Sequence, residues 1–236
     1  MLKQTRQIVK EVYLKTKGKP FHLSLKESLL DCRIILDVGC GSGSPIKYFS
    51  KNFYSVGVDL FKPALLESRN KRIHDDYVLA DINNLCFRPN FFEAVLALDV
   101  IEHLEKIKGL RLIKTMEKIA KKKVIIITPN GYVPQGARAK NVFQVHLSGW
   151  TVSDLKRLRY KVNGIVGLKL LRTEEAKLRY KPEILFTELS DISQKLTYYF
   201  PIMAFELLCV KNLHKTECPT IQISGKNPAN VLLSDV

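Results

Sequence analysis

An α/β fold built on a parallel sheet is what this sequence predicts, from three observations. Apolar β-branched runs alternate with segments of helical period, which is the pattern of strands joined by crossover helices. One of those runs leads straight into a glycine-rich turn, Gly39-Cys40-Gly41-Ser42-Gly43, and the next run ends in an acid, Asp59. The length of 236 residues suits one domain, or one with a modest appendage.

In chain order, strands are expected at 33–38, 54–59, 76–80, 94–98 and 124–128, with helices at 44–51, 63–72 and 107–122 between them. The third helix places Ile107, Leu110, Ile113, Met116 and Ala120 at three- and four-residue steps as its buried stripe. Lys121, Lys122 and Lys123 stand at its expected end, where cations suit the helix dipole. Past Pro129 the regularity breaks in a loop containing Gly131, Pro134 and Gly136. A helix follows at 151–160, capped by Ser148 or Thr151, and then two strands at 161–168 and 205–211 form a final pair at the sheet edge. The connection between that pair is too long for a tight hairpin and reads as an insertion.

Composition narrows the class. Apolar residues make up 46% and charged residues 26%, so the chain can bury a proper core. No run approaches the ~18 uninterrupted apolar residues of a membrane span, and the richest stretch, Phe200 to Val210, carries Glu206 in its middle. The amino terminus has no apolar signal region, and the five scattered cysteines never form a C-x-x-C pair, so a reducing cytoplasm is the expected location. Lysine and arginine number 38 against 23 acids, a net charge of +15. Between Gly131 and Lys181 eleven basic residues face three acidic ones, either a solvated surface or a footprint for a phosphate-bearing partner.

The glycine turn carries the chemistry. A Cβ there would collide with a ligand lying against the backbone, and the turn calls for positive φ. The acid at the tip of the second strand, Asp59, reaches the hydroxyls of a ribose. The pattern is G-x-G-x-G with Asp37 two residues before the first glycine, where an anionic pyrophosphate is unwelcome and the ammonium of an amino-acid moiety is not. The third strand delivers Asp81, an acceptor for an exocyclic adenine amine.

On these residues the chain resembles the class I S-adenosylmethionine-dependent methyltransferases over residues 33–210. It matches the family pattern in order at LDVGCGSG (36–43), GVDL (57–60), LADINNL (79–85) and LALDVIEHL (96–104), followed by KVIIITPNG (123–131). The resemblance implies a Rossmann-like seven-stranded, mostly parallel sheet with helices on both faces and an antiparallel last strand. It also implies S-adenosyl-L-methionine as cofactor. Gly39 and Gly41 would face its methionine part, Asp59 its ribose, Asp81 and the Ile82 backbone its adenine, with Asp37 acting on the methionine end through water. The expected organisation is a single methyltransferase domain over 1–213, with a helical cover at 1–32, an insertion at 170–204 and a loosely ordered tail at 214–236.

Because the sulfonium already activates the methyl group, the protein has to align an acceptor and take a proton only where the acceptor must lose one. Asp99, Glu102, His103 and His146 are the ionisable groups expected at that cleft, with Asp99, His103 and His146 as catalytic candidates. A structural alternative puts Trp150 in the core and His146 at a helix cap. The D-x-x-E-H spacing at Asp99, Glu102 and His103, joined by His146, also resembles the E-x-x-E-H motif of metal-assisted O-methyltransferases acting on quinone precursors and of small-RNA 3′-terminal 2′-O-methyltransferases. Metal-free members share D-V-I-E-H-L, and no metal is expected here. The expected acceptor is a small molecule or conjugate taking the methyl group on O or N. RNA is the alternative, on the charge balance and on Tyr160, Tyr180, Tyr198 and Tyr199 as stacking platforms among basic residues. A non-enzymatic cofactor-binding role is a further alternative. The stretch from Leu196 to Phe205 reads as a core helix leading into the last strand, with a lipid-facing patch as the alternative. Oligomeric state is left open.

Overall fold

The computed structural model describes residues 21–137, 141–173 and 177–213. The tail expected at 214–236 and most of the N-terminal cover lie outside the described residues. Seven strands, β1 (Ile34–Val38), β2 (Tyr54–Asp59), β3 (Asp76–Leu79), β4 (Phe92–Leu98), β5 (Ala120–Pro129), β6 (Lys161–Leu168) and β7 (Ala204–Asn212), form one sheet in the order β3-β2-β1-β4-β5-β7-β6. The neighbours from β3 to β5 are parallel, and β7 runs antiparallel to both β5 and β6. The described helices are α1 (Phe21–Ser28), α2 (Lys62–Asn70), α3 (Lys106–Ile119), α4 (Val152–Arg157) and α5 (Glu183–Tyr199). The sheet and its single antiparallel strand are those implied by the family resemblance.

The central strands are apolar on both faces because both are covered. Leu36, Val38, Val95, Ala97, Val124 and Ile126 pack under Leu112, Ile113 and Met116 of α3, with Trp150 fully buried among them. Ile35, Ala94, Leu96, Leu98, Ile125 and Ile127 point to the other face, under Leu25 of α1 and Ile46 and Phe49 of the turn after β1.

Four expectations are corrected. The segment 44–51 is two short 3-10 turns, Pro45–Tyr48 and Ser50–Asn52, because Phe49 between them leaves the helical region at φ −153°. The third helix ends at Ile119, and Ala120 enters β5 directly opposite Phe92, so Lys121, Lys122 and Lys123 are strand residues. As strand residues they tie elements together: Lys122 Nζ lies 2.7 Å from Glu93, and Lys123 Nζ 2.5 Å from Asp31 beyond α1. The buried stripe of α3 is Gly109, Leu112, Ile113, Met116 and Ile119, with Ile107 exposed. The cap of α4 is Thr151, in a reciprocal capping box with Asp154.

The fourth correction concerns α5, which is no core helix. It turns a polar side inward: Ser190, Ser193, Gln194 and Thr197 are its buried residues, and Leu185, Leu189, Ile192, Leu196 and Tyr199 are exposed. The reason lies in β6. Its pairing with β7 slips between Ile165 and Leu168, where Val166 and Gly167 both adopt positive φ, so the local backbone loses ladder partners. Gln194 accepts from Gly167 N at 2.8 Å and donates to Gly164 O at 3.1 Å, and Ser193 Oγ accepts from Leu168 N at 3.1 Å.

Candidate active site

The turn after β1 is held at the carboxyl end of β2, with Gly39 N and Cys40 N donating to Val58 O at 2.7 and 3.0 Å. Gly41 sits at φ +54°, and a Cβ built on it would have no heavy atom within 4 Å. That open ledge is the space a ligand lying on the backbone needs. Gly39, at φ +70°, serves a different end: its Cβ would meet Val100 at 2.7 Å, so the glycine lets the end of β4 close against the turn. Asp59 clamps the same turn, Oδ2 accepting from Gly41 N and Oδ1 from Phe61 N, both at 2.8 Å. Desolvation raises its carboxyl above the ordinary value against the pull of those N–H donors. Asp81 Oδ1 accepts from Asn83 N and Nδ2 at the half-exposed turn where Ile82 begins a 3-10 segment. Asp37 is buried beneath the turn, its Oδ2 accepting from Ser44 Oγ at 2.7 Å and from His74 Nε2 at 2.9 Å, while Oδ1 has no partner among the described residues. An open glycine ledge, an acid at each of two strand tips and an orphaned acceptor below form a set of acceptors around an open backbone that fits S-adenosylmethionine.

The second half of the site lies at the end of β4. Asp99 is in the left-handed region at φ +56°, a strained conformation for a residue with a side chain, and its N–H donates to Ile127 O at 3.0 Å. Its side chain is exposed at the end of β4, and desolvation raises its carboxyl to about 6. Glu102, 2% exposed, is pushed well above the usual carboxyl range by burial and then by the charge of Asp99. Thr128 Oγ1 donates to its Oε2 at 2.9 Å, and its Oε1 has no partner among the described residues.

The two histidines come from distant segments and meet here, ring centroids 4.8 Å apart. His103 Nδ1 lies 3.2 Å from Val145 O and His146 Nδ1 2.6 Å from Val133 O, contacts that place a proton on each Nδ1 and aim Nε2 elsewhere. Glu102, His103 and His146 each bring a ligand atom within 4.8 Å of the others, so the three could hold a metal ion. The loop reaches them because Leu147 N and Ser148 N donate to Glu102 O. The described helix that follows His146 is capped by Thr151 and not by the histidine, and Trp150 is in the core as the structural alternative has it, its Nε1 donating to Ile101 O.

Two residues the sequence reading left out belong to this site. Glu206 of β7 is raised to about 8 by burial and by Asp99, with Arg172 opposing. It had a signal, as the lone acid in the apolar run from Phe200. His74 had none, since nothing in its local sequence marks it as buried.

Residues 36–128 match the family described as a methyltransferase domain. The human probable tRNA methyltransferase 9B is 33% identical over 87 residues, covering 36% of this chain and 18% of that protein. The tRNA (carboxymethyluridine(34)-5-O)-methyltransferase of Arabidopsis thaliana is 30% identical over 109 residues, 45% of this chain and 24% of that protein. The chain thus spans well under half the length of the curated relatives it matches. A solved SAM-dependent methyltransferase from Archaeoglobus fulgidus shares the fold at a TM-score of 0.55 and 16% identity, over 80% of this chain and 90% of that one. Residues 36–128 thus resemble a methyltransferase domain, and the described fold is the one found in solved S-adenosylmethionine-dependent methyltransferases.

Proposed function

We propose that this chain transfers the methyl group of S-adenosylmethionine to an oxygen or nitrogen of a small-molecule or conjugated acceptor, with Asp99 as the general base. The observation that carries this reading is Asp99 itself: strained, at the end of β4 beside the glycine turn, with a carboxyl raised to about 6. When bound, the cofactor supplies an activated methyl group. Gly41 gives it room, Asp59 accepts from ribose hydroxyls, Asp81 and the Ile82 backbone hold the adenine, and Gly39 and Asp37 shape the turn from below. Asp99 takes the proton the acceptor loses, and His103 and His146, oriented by carbonyl contacts, position the acceptor over it. This reading assigns no metal to the histidine cluster.

The experiment is transfer of labelled methyl from S-adenosylmethionine into fractionated metabolite and RNA pools by the wild type and Asp99→Asn. Incorporation should fall by about two orders of magnitude or more in the variant, with cofactor affinity unchanged. Equal incorporation by the two would remove Asp99 from the role.

An RNA acceptor is the second reading, favoured by the relatives named as tRNA methyltransferases and by the charge of +15. Of its stacking candidates Tyr160 is buried, its hydroxyl 3.2 Å from Glu117, and drops out, while Tyr180 and Tyr199 are exposed. RNA binding that weakens steeply with salt would favour this reading, and salt-insensitive or absent binding would end it.

A further inference from the structure

We propose that the outer face of α3 and α4 is a docking surface for the phosphodiester backbone of a double-helical RNA segment. This inference rests on the RNA acceptor of the second reading above and adds where the paired part of that RNA lies. The two helices form one layer. Both pack inward on the same apolar core, through Leu112, Ile113 and Met116 of α3 and Val152 and Leu155 of α4. Lys106 Nζ, 2.9 Å from Asp154, joins them near the acceptor side. At the other end the hydroxyl of Tyr160, just past α4, lies 3.2 Å from Glu117 of α3. The helices therefore run side by side away from the site, α3 starting shortly after His103 and α4 shortly after Trp150.

Charge selects a polyanion. Arg111 and Lys114 of α3, with Lys156, Arg157 and Arg159 on and just after α4, are exposed on the solvent side of that layer. None of the five has an acidic partner among the described residues. The acids of the layer are instead held by other lysines: Glu105 by Lys108 at 3.2 Å, Glu117 by Lys211 at 2.8 Å and Asp154 by Lys106 at 2.9 Å. With α3 about 21 Å long and neighbouring helices ~8–10 Å apart, the five cations cover room for several phosphates. What the face lacks narrows the polyanion further. Single strands are held by stacking bases on exposed rings, and the aromatic residues of this layer, Trp150 and Tyr160, are both buried. A bilayer needs an apolar stripe to insert, and among its described residues the layer exposes one large apolar side chain, Ile107. A duplex is recognised by backbone and shape, which cations supply without rings. Because the layer begins at the acceptor side, RNA lying along it leads toward Asp99.

The test is fluorescence anisotropy of a labelled RNA duplex of about 20 base pairs against the full chain across a potassium chloride series, with polyuridylate and polyglutamate as competitors. The variants are Arg111→Ala with Lys114→Ala, and Lys156→Ala with Arg157→Ala. All four side chains are exposed, so the fold should survive, which circular dichroism and S-adenosylhomocysteine affinity check. The wild type should bind the duplex with an affinity that falls steeply as salt rises. Each double variant should weaken binding by roughly tenfold and lower the salt slope by about two. Variants that bind like the wild type overturn the proposal. So does a duplex displaced better by polyuridylate, which would give the face to single strands, or equally well by polyglutamate, which would give it to an acidic protein. Labelled methyl in the RNA pool checks the RNA acceptor separately. Incorporation with unaffected variants overturns the docking surface and leaves that acceptor standing, whereas neither incorporation nor binding ends both.

Discussion

His74 Nε2 stands 2.9 Å from Asp37 Oδ2 with both side chains shut off from solvent, at 0% and 1% exposure. The contact joins the segment before β3 to β1 directly under the glycine turn. It also explains Gly57 in β2, where a Cβ would meet His74 Nδ1 at 2.9 Å. Removing the imidazole leaves a buried carboxylate short of a donor. His74→Ala should therefore cost about 3 kcal/mol of unfolding free energy, with His74→Gln recovering part of it. Urea denaturation measures this, and a loss under ~1 kcal/mol would mean Asp37 does not depend on the pair.

Substitutions at the ledge should act on cofactor affinity. Gly41→Val places a β-branched side chain at φ +54° in the space left open, and should abolish S-adenosylmethionine binding in a calorimetric titration. Asp59→Ala should weaken it by about 1–3 kcal/mol through lost charge-assisted hydrogen bonds. Ordinary affinity in both variants would place the cofactor elsewhere.

Asp99 must be ionised to accept a proton, and its carboxyl is raised to about 6. Turnover should accordingly climb as pH rises through about 6 and level off above it. The step should vanish in Asp99→Asn, whose residual rate should be flat over the same range.

The pH dependence of stability should run the other way. Glu206 holds its proton up to about 8 in the folded protein, against an ordinary value of 4.5, so the native state binds more protons than the unfolded one between those values. The associated stability is present in full below about 4.5 and is lost as pH rises through about 8. Glu206→Gln should flatten that decline in melting temperature, and an unchanged slope would show that the proton resides on another group.

With no metal assigned to Glu102, His103 and His146, transfer should be indifferent to EDTA and to added Mg²⁺. Inhibition by EDTA reversed by Mg²⁺ and abolished in His146→Ala would instead give the cluster a divalent cation.

The strands were legible because β-branched runs in a doubly covered sheet have few alternatives, and β2 and β6 fall at the expected residues. The glycine turn and its acids were legible for the same local reason: their chemistry is written within a few residues. Contacts made between distant segments were harder to see. His103 and His146 could be suspected of one site, yet the carbonyls that orient them belong to Val145 and Val133 in an irregular loop. α5 was the hardest to foresee: only its end, from Leu196, was read, as part of a core helix, whereas β6 lacks ladder partners at Gly167 and Leu168 and draws the polar side of the helix inward, Gln194 and Ser193 accepting from those N–H groups.

The strand order separates two tasks in space. Every residue proposed for the cofactor precedes β4, on the wing formed by β1, β2 and β3, while the loop after β5 and the insertion between β6 and β7 lie on the opposite wing. The far wing is thus open to exchange between related chains by grafting at the start of β5. The joints such a graft must keep include Lys122 with Glu93, Lys123 with Asp31, Thr128 with Glu102, Lys106 with Asp154 and Lys211 with Glu117. Chains that respect those joints can acquire new acceptors while keeping one inherited way of holding the methyl donor.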